Sequence, residues 1–232
     1  MSLKAHLNLP SLITIATLTL GSPLSASPLA PGTCVGYGCS TAGTLDNMPA
    51  ITGTFKAGYI DHVNLADAGI AGTFRAAVYQ NTAGTLDFYY QFTNTSTSAS
   101  VTAMYMQNYG GVNVDVGYSL VDVDGTQTNP GFLQNGTMQA PSYANRGPAG
   151  QTIRFMFAGA DGLNSQLNPG ETSRIMVIRT SATQFGFGTR TWAANANGEL
   201  ISNAFSPIPE PGTYALMGAG LVALGLARRR RK

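Results

Sequence analysis

The chain is 232 residues long with a formal net charge of +2, and charged residues make up only 10% of it, which excludes the basic face or stripe that nucleic-acid binding demands. The charge is uneven: residues 31–211 hold seven basic side chains (Lys56, Arg75, Arg146, Arg154, Arg174, Arg179, Arg190) against all eleven acidic ones, 7 − 11 = −4, so the basic balance comes from the ends. Two cysteines and two histidines leave no ligand set of the kind that builds a zinc site, and neither a metal nor a cofactor is expected.

Residues 1–30 read as a secretory signal peptide. Lys4 and His6 lie in a weakly positive head, Leu7 to Leu20 is mainly apolar, and Gly21-Ser22-Pro23 ends the run ahead of small residues. Cleavage after Ala26 puts Leu24 at the minus-three position, and cleavage after Ala30 puts Pro28 there. The implied route is the general secretion machinery, which delivers the chain to a compartment where thiols oxidise. Cys34 and Cys39, separated by Val35-Gly36-Tyr37-Gly38, are then a candidate disulfide, and the two glycines permit so tight a loop. Closing a loop this short adds little stability, and redox catalysis would call for Cys-x-x-Cys spacing.

From Ile51 onward the pattern has period two. Leu86, Phe88, Tyr90 and Phe92 alternate with Asp87, Tyr89, Gln91 and Thr93, which assigns the first row to a core and the second to an outer face. Val112, Val114, Val116, Tyr118 and Leu120 repeat the pattern, and Ile153, Phe155 and Phe157 bracket Arg154 and Met156. Further strands are expected at 51–60, 72–80, 100–108, 131–138, 173–180, 185–192 and 200–205. Asp61 to Ile70 reads as a connection, with room for a helical turn near Leu65.

Turn chemistry separates these runs, as in Asn81-Thr82-Ala83-Gly84, Asp122-Val123-Asp124-Gly125 and Asn168-Pro169-Gly170. No apolar 3.6-residue period lasts four turns in this region, so the fold class is all-β: an antiparallel β-sandwich or jelly-roll-like domain over residues 31–206. Thr41 to Asp46 recurs verbatim as Thr82 to Asp87, but the echo stops there and marks two similar strand entrances rather than a repeat architecture.

Catalytic signatures are sparse. His62 beside Asp61 is the one histidine outside the signal, and the sequence supplies no Gly-x-Ser-x-Gly nucleophile setting, metal helix or phosphate loop. Glycoside cleavage would need two carboxylates facing one sugar, a pairing the sequence does not select. Asp115, Asp122 and Asp124 ahead of Gly125 resemble half a calcium loop without its helices or terminal Glu. Trp192, Tyr89, Tyr105 and Tyr109 are candidate sugar-stacking rings with equally natural places in a core.

The chain closes on three physical regimes. Pro207-Ile208-Pro209-Glu210-Pro211 is a stiff spacer, Thr213 to Ala227 carries no charge, and Arg228, Arg229, Arg230, Arg231 and Lys232 form a cationic cluster suited to the cytoplasmic side of a membrane. Fifteen helical residues cover about 22 Å against a hydrocarbon core of about 30 Å, so a spanning helix recruits Gly212, snorkelling arginines or local thinning. The ordered set of Pro209, Glu210 and Pro211, apolar segment and Arg228 to Arg231 over residues 207–232 resembles the PEP-CTERM sorting signal of exported proteins in Gram-negative bacteria. That resemblance implies recognition by an exosortase, an inner-membrane cysteine transpeptidase, and an association with exopolysaccharide, biofilm or floc. Phe88 to Asn94, Gly117-Tyr118 and Asn168-Pro169-Gly170 leading into Ile175 to Thr180 are similar to the exported β domain that accompanies this tail, which implies no activity.

The expectation is a non-enzymatic exported protein, held at the inner membrane by a C-terminal transmembrane sorting helix and then processed for the cell surface or extracellular matrix. Its expected partners are the secretion machinery, an exosortase and exopolysaccharide, with no nucleic acid. The alternatives are a carbohydrate-binding module of the matrix and a secreted polysaccharide hydrolase.

Overall fold

The computed structural model describes residues 26–39, 45, 47–48, 53–65, 69–119, 131–133, 137–157, 166–195 and 198–208. The signal head, Asp122, Asp124 and the tail from Pro209 onward lie outside the described residues. The strands are β1 (Ser27–Pro28), β2 (Cys34–Gly36), β3 (Asn47–Met48), β4 (Thr54–Leu65), β5 (Ile70–Gln80), β6 (Leu86–Asn94), β7 (Ala103–Met106), β8 (Val114–Ser119), β9 (Met138–Gln139), β10 (Tyr143–Arg146), β11 (Ile153–Met156), β12 (Thr172–Ser173), β13 (Ile175–Thr180), β14 (Phe185–Asn195) and β15 (Gly198–Pro207). Among the described residues no helix is long and apolar enough to cross a membrane.

Two sheets result. The nine-stranded one runs β4-β5-β6-β13-β8; β1 and β3 share the far edge of β8, and β12 follows β13 along β6 and carries β9. The six-stranded one runs β15-β14-β7-β11-β10-β2. Pairing is antiparallel except for the short β3–β8 and β9–β12 contacts. At one side β15 packs beside β4 and β5, with Ser202 Oγ donating to Asp61 at 2.6 Å and Tyr59 meeting Phe187 edge-on at 4.6 Å. The domain is therefore all-β, with a curled sheet consistent with a sandwich or jelly roll.

The core between the sheets takes the rows that alternation selects. Leu86, Phe88, Tyr90 and Phe92 from β6 meet Met104, Met106, Ile153 and Phe155 of the facing sheet, all buried. Tyr90 also needs a polar partner in this setting. Its hydroxyl donates to the Phe205 carbonyl at 2.5 Å, which leaves the Tyr109 hydroxyl to donate to it at 2.7 Å and so ties the two sheets through the core. Burial drives both phenol pKa values up, so the pair stays neutral.

Three expectations change. β4 continues through Asp61 and His62 to Leu65, because pairing with β5 persists from Thr54↔Gln80 to Leu65↔Ile70, and at a sheet edge its polar residues need no burial. Of 131–138, only Met138 is in a strand, although residues 134–136 are outside the described set. Phe132 is buried and Leu133 exchanges both backbone bonds with the Gln91 amide, Leu133 N–H to Oε1 at 2.8 Å and Nε2 to Leu133 O at 2.8 Å. The outer row of β6 is consequently not exposed: Asp87, Tyr89 and Gln91 are buried, with Tyr89 in a second apolar cluster containing Ala26, Met48, Tyr79, Phe132 and Val177.

On that covered face Arg179 of β13 lies in register with Asp87 on β6 and Asp115 on β8. Arg179 Nε is 3.4 Å from Asp87 Oδ2, and Asn81 Nδ2 donates to Asp87 Oδ1 at 2.9 Å. Loss of solvent outweighs these partners and raises the Asp87 pKa, and it raises that of Asp115 as well.

Arg146, at the end of β10, is 5% exposed and meets backbone rather than carboxylate. Its Nε donates to Gly150 O at 3.0 Å, Nη1 to Leu29 O at 3.1 Å, and Nη2 to Tyr109 O at 2.6 Å and Val112 O at 3.0 Å. Desolvation lowers its pKa, and a guanidinium keeps its charge even so.

Replacing Arg146 with Met removes the fork and strands four buried carbonyls. Urea denaturation is expected to show a loss on the order of 3 kcal/mol. For Asp87 the folded state holds the proton more tightly than the unfolded chain, so its contribution falls as pH rises from about 4 through the elevated native pKa. Asp87→Asn is expected to flatten that part of the decline, seen by comparing urea midpoints of the two proteins across acidic to neutral pH.

Candidate functional site

The most developed surface feature is a cross-strand row on the outer face of the six-stranded sheet. Inward residues such as Met104, Met106, Ile153 and Phe155 fix the pleat, so Tyr105 and Arg154 between them project outward. Register aligns Ile201, Trp192, Tyr105, Arg154 and Asn145 on β15, β14, β7, β11 and β10. Tyr105 and Trp192 stack with centroids 4.7 Å apart and planes 6° from parallel, and the Arg154 guanidinium lies 5.8 Å from the Tyr105 centroid. Arg190 lies 5.5 Å from the Trp192 centroid and 3.5 Å from exposed Glu199. Arg154 Nε donates to Asn145 Oδ1 at 3.2 Å, and among the described residues Arg154 has no carboxylate partner.

This geometry redirects the sugar-stacking expectation. Tyr89 and Tyr109 are buried, which removes both from any saccharide surface. Tyr105 stands between Trp192 on one neighbouring strand and Arg154 on the other, so its faces are engaged and its edge is outward. Stacking and cation–π contacts of this kind contribute about 0.5–1.5 kcal/mol each, which makes the row a cap on the sheet as much as a site. Beside it lies an open groove of about 730 Å³ lined by Tyr105, Asn145, Arg154, Thr33 and Thr152. Arg154 and Asn145 had only a weak sequence signal: a charged residue between the core positions Ile153 and Phe155 must point outward.

Among the described residues the catalytic candidates do not come together. Asp61 and His62 are consecutive on a strand and diverge: Asp61 accepts from Ser202, while the exposed His62 lies with Nδ1 2.9 Å from Thr73 Oγ1. Each described carboxylate has a local task. Asp87 and Asp115 face Arg179, Glu199 meets Arg190, and Glu171 accepts the Asn168 N–H at 2.7 Å in the Asn168–Gly170 turn, where Gly170 adopts φ +84°. Among the described residues no three His, Cys, Asp or Glu side chains gather for a metal.

Cys34 and Cys39 are bonded to each other, with Cα atoms 5.6 Å apart. Gly36 between them has φ +114°, and a Cβ there would sit 2.6 Å from both Ser142 O and Tyr143 Cα, so the loop requires glycine twice over. Of the sorting residues, Pro209, Glu210, Pro211 and Arg228 to Arg231 lie outside the described residues. Their immediate predecessors do not: Pro207 pairs with Phe185 at the end of β15, and Ile208 N–H donates to Gln184 O at 3.0 Å.

No curated protein and no solved structure matches the chain. One family model does, described as the PEP-CTERM protein-sorting motif, and it matches residues 207–232. The chain thus carries at its C-terminal end a PEP-CTERM sorting motif of the kind typical of exosortase substrates, and the β domain runs directly into it.

Proposed function

We propose that the chain is a non-enzymatic, exported cell-surface or extracellular-matrix protein, delivered through the general secretion machinery and processed by an exosortase. The observation that carries this reading is the sorting motif itself, over residues 207–232. The motif implies a membrane-anchored precursor, for which Thr213 to Ala227 supplies the apolar segment and Arg228 to Lys232 the cytoplasmic charge. Its first residue, Pro207, lies in register with Phe185 and its second, Ile208, donates its N–H to Gln184 O, so the Pro-Glu-Pro triplet follows the folded edge with no intervening linker and the domain is held close to the membrane until the tail is cut. Association with exopolysaccharide or biofilm belongs to the same reading. After processing, the loss of the five terminal cations leaves an acidic product.

A second reading, a carbohydrate-binding module of the matrix, is favoured by Arg154 and Asn145 beside the open groove. Because the faces of Tyr105 are taken, a saccharide would be held through guanidinium and amide hydrogen bonds and ring edges rather than by stacking. The hydrolase alternative finds no pair of unengaged carboxylates among the described residues.

For the first reading, intact mass of the protein from its native host is expected to lack Arg228 to Lys232 when the exosortase is present and to retain them when it is deleted. A soluble exported product still ending in Lys232 beside a working exosortase overturns it. For the second, native electrophoresis through gels containing polygalacturonate or dextran is expected to show retardation that drops at least several-fold in Arg154→Ala. Unchanged mobility of the wild-type protein in every polymer removes the carbohydrate reading and leaves the sorting reading standing.

A further inference from the structure

We propose that the precursor is cut between Ala26 and Ser27, making Ser27 the first residue of the exported domain; this rests on the secretory reading above. The reaction is hydrolysis of one peptide bond: water adds to the Ala26 carbonyl carbon, the C–N bond to Ser27 breaks, and the products are the Ala26 carboxylate and the Ser27 amine. The sequence offers two small residues at which a signal peptide ends, Ala26 and Ala30, and neither Leu24 nor Pro28 at the minus-three position separates them. The fold does.

Residues 27–29 belong to the sheet. Ser27 and Pro28 form β1 in register with Val116 and Asp115, the Leu29 N–H donates to Val114 O at 2.8 Å, and the Leu29 side chain is 1% exposed within the main core. The Leu29 carbonyl is also one of the four acceptors around the buried Arg146 guanidinium, at 3.1 Å. A cut after Ala30 removes an edge strand, a core isobutyl group and a charged hydrogen bond at once, uncovering β8 and leaving a buried guanidinium donor unpartnered. The Ala30–Pro31 bond is in addition a tertiary amide with no N–H for a peptidase to grip.

A cut after Ala26 loses much less. Ala26 is itself buried in the second apolar cluster, but the side chain that leaves the core with it is one methyl group, and the new amine falls on partly exposed Ser27. The β1 pairing with β8, the Leu29 bond to Val114 O and the Leu29 carbonyl at Arg146 are kept.

The test is N-terminal mass analysis of the full-length gene product exported by its native host, in wild-type, Ala26→Val and Ala30→Val forms. Ala30 is exposed, so its substitution leaves the fold intact. The expected result is Ser27 as first residue in wild-type and Ala30→Val, with uncut precursor accumulating in Ala26→Val, where a branched side chain occupies the cut position. A wild-type product starting at Pro31 or at any residue other than Ser27, or a block caused by Ala30→Val, overturns this inference alone. A wild-type protein that keeps Met1 overturns it together with the secretory reading.

Discussion

The constraint on which the domain most depends is a positive charge placed where no negative one can meet it. A guanidinium withdrawn from water is costly unless its donors are used, and Arg146 places four hydrogen bonds on carbonyls from the N-terminal segment, the loop after β7, the approach to β8 and its own turn. Backbone bonds from Leu29 to Val114, Arg146 to Thr33 and Tyr109 to Gln151 bring the same stretches together. Arg146 reinforces that arrangement, and the planar fork of five donors makes arginine the only side chain that can satisfy so many carbonyls at once. The same logic, with neutral groups, governs the Tyr90–Tyr109–Phe205 contact that joins the sheets and the Gln91–Leu133 exchange that pins a covering segment over the nine-stranded sheet.

These ties hold the described domain at both of its ends, Leu29 and Ile208. At one end Leu29 is clamped by Arg146, and at the other β15 keeps its register with β14 to Pro207 and ends on the Ile208 N–H bond to Gln184 O. The sorting motif and the sheet share Pro207 and Ile208, which fixes the position from which the tail leaves the fold.

Much of the architecture was legible because alternation is a direct record of which side of a strand meets the core. Leu86 to Phe92, Val112 to Val116 and Ile153 to Phe157 all place their apolar rows as the pattern requires. The pattern misled where burial came from elsewhere in the chain: Asp87, Tyr89 and Gln91 read as an outer row, and they are enclosed because segments including Phe132 and Leu133 lie over them. Two-residue strands such as β1 and β3 carry too few residues to show any period, and β10 is announced only by Tyr143 to Arg146, a stretch that resembles a turn. Of the site, the outward ring pair Tyr105 and Trp192 was visible as residue types. Its mutual stacking, which decides that the ring faces are not offered to a sugar, depends on strand order and was not.

The described sheets run from Ser27 in β1 to the Ile208 N–H after β15, and both end segments are held by the strands they adjoin. Amide hydrogen exchange on the exported protein tests it at two atoms. The Leu29 and Ile208 N–H groups, bonded to Val114 O at 2.8 Å and Gln184 O at 3.0 Å, are predicted to exchange far more slowly than an unstructured peptide. Exchange of either amide at the free-peptide rate would contradict the account.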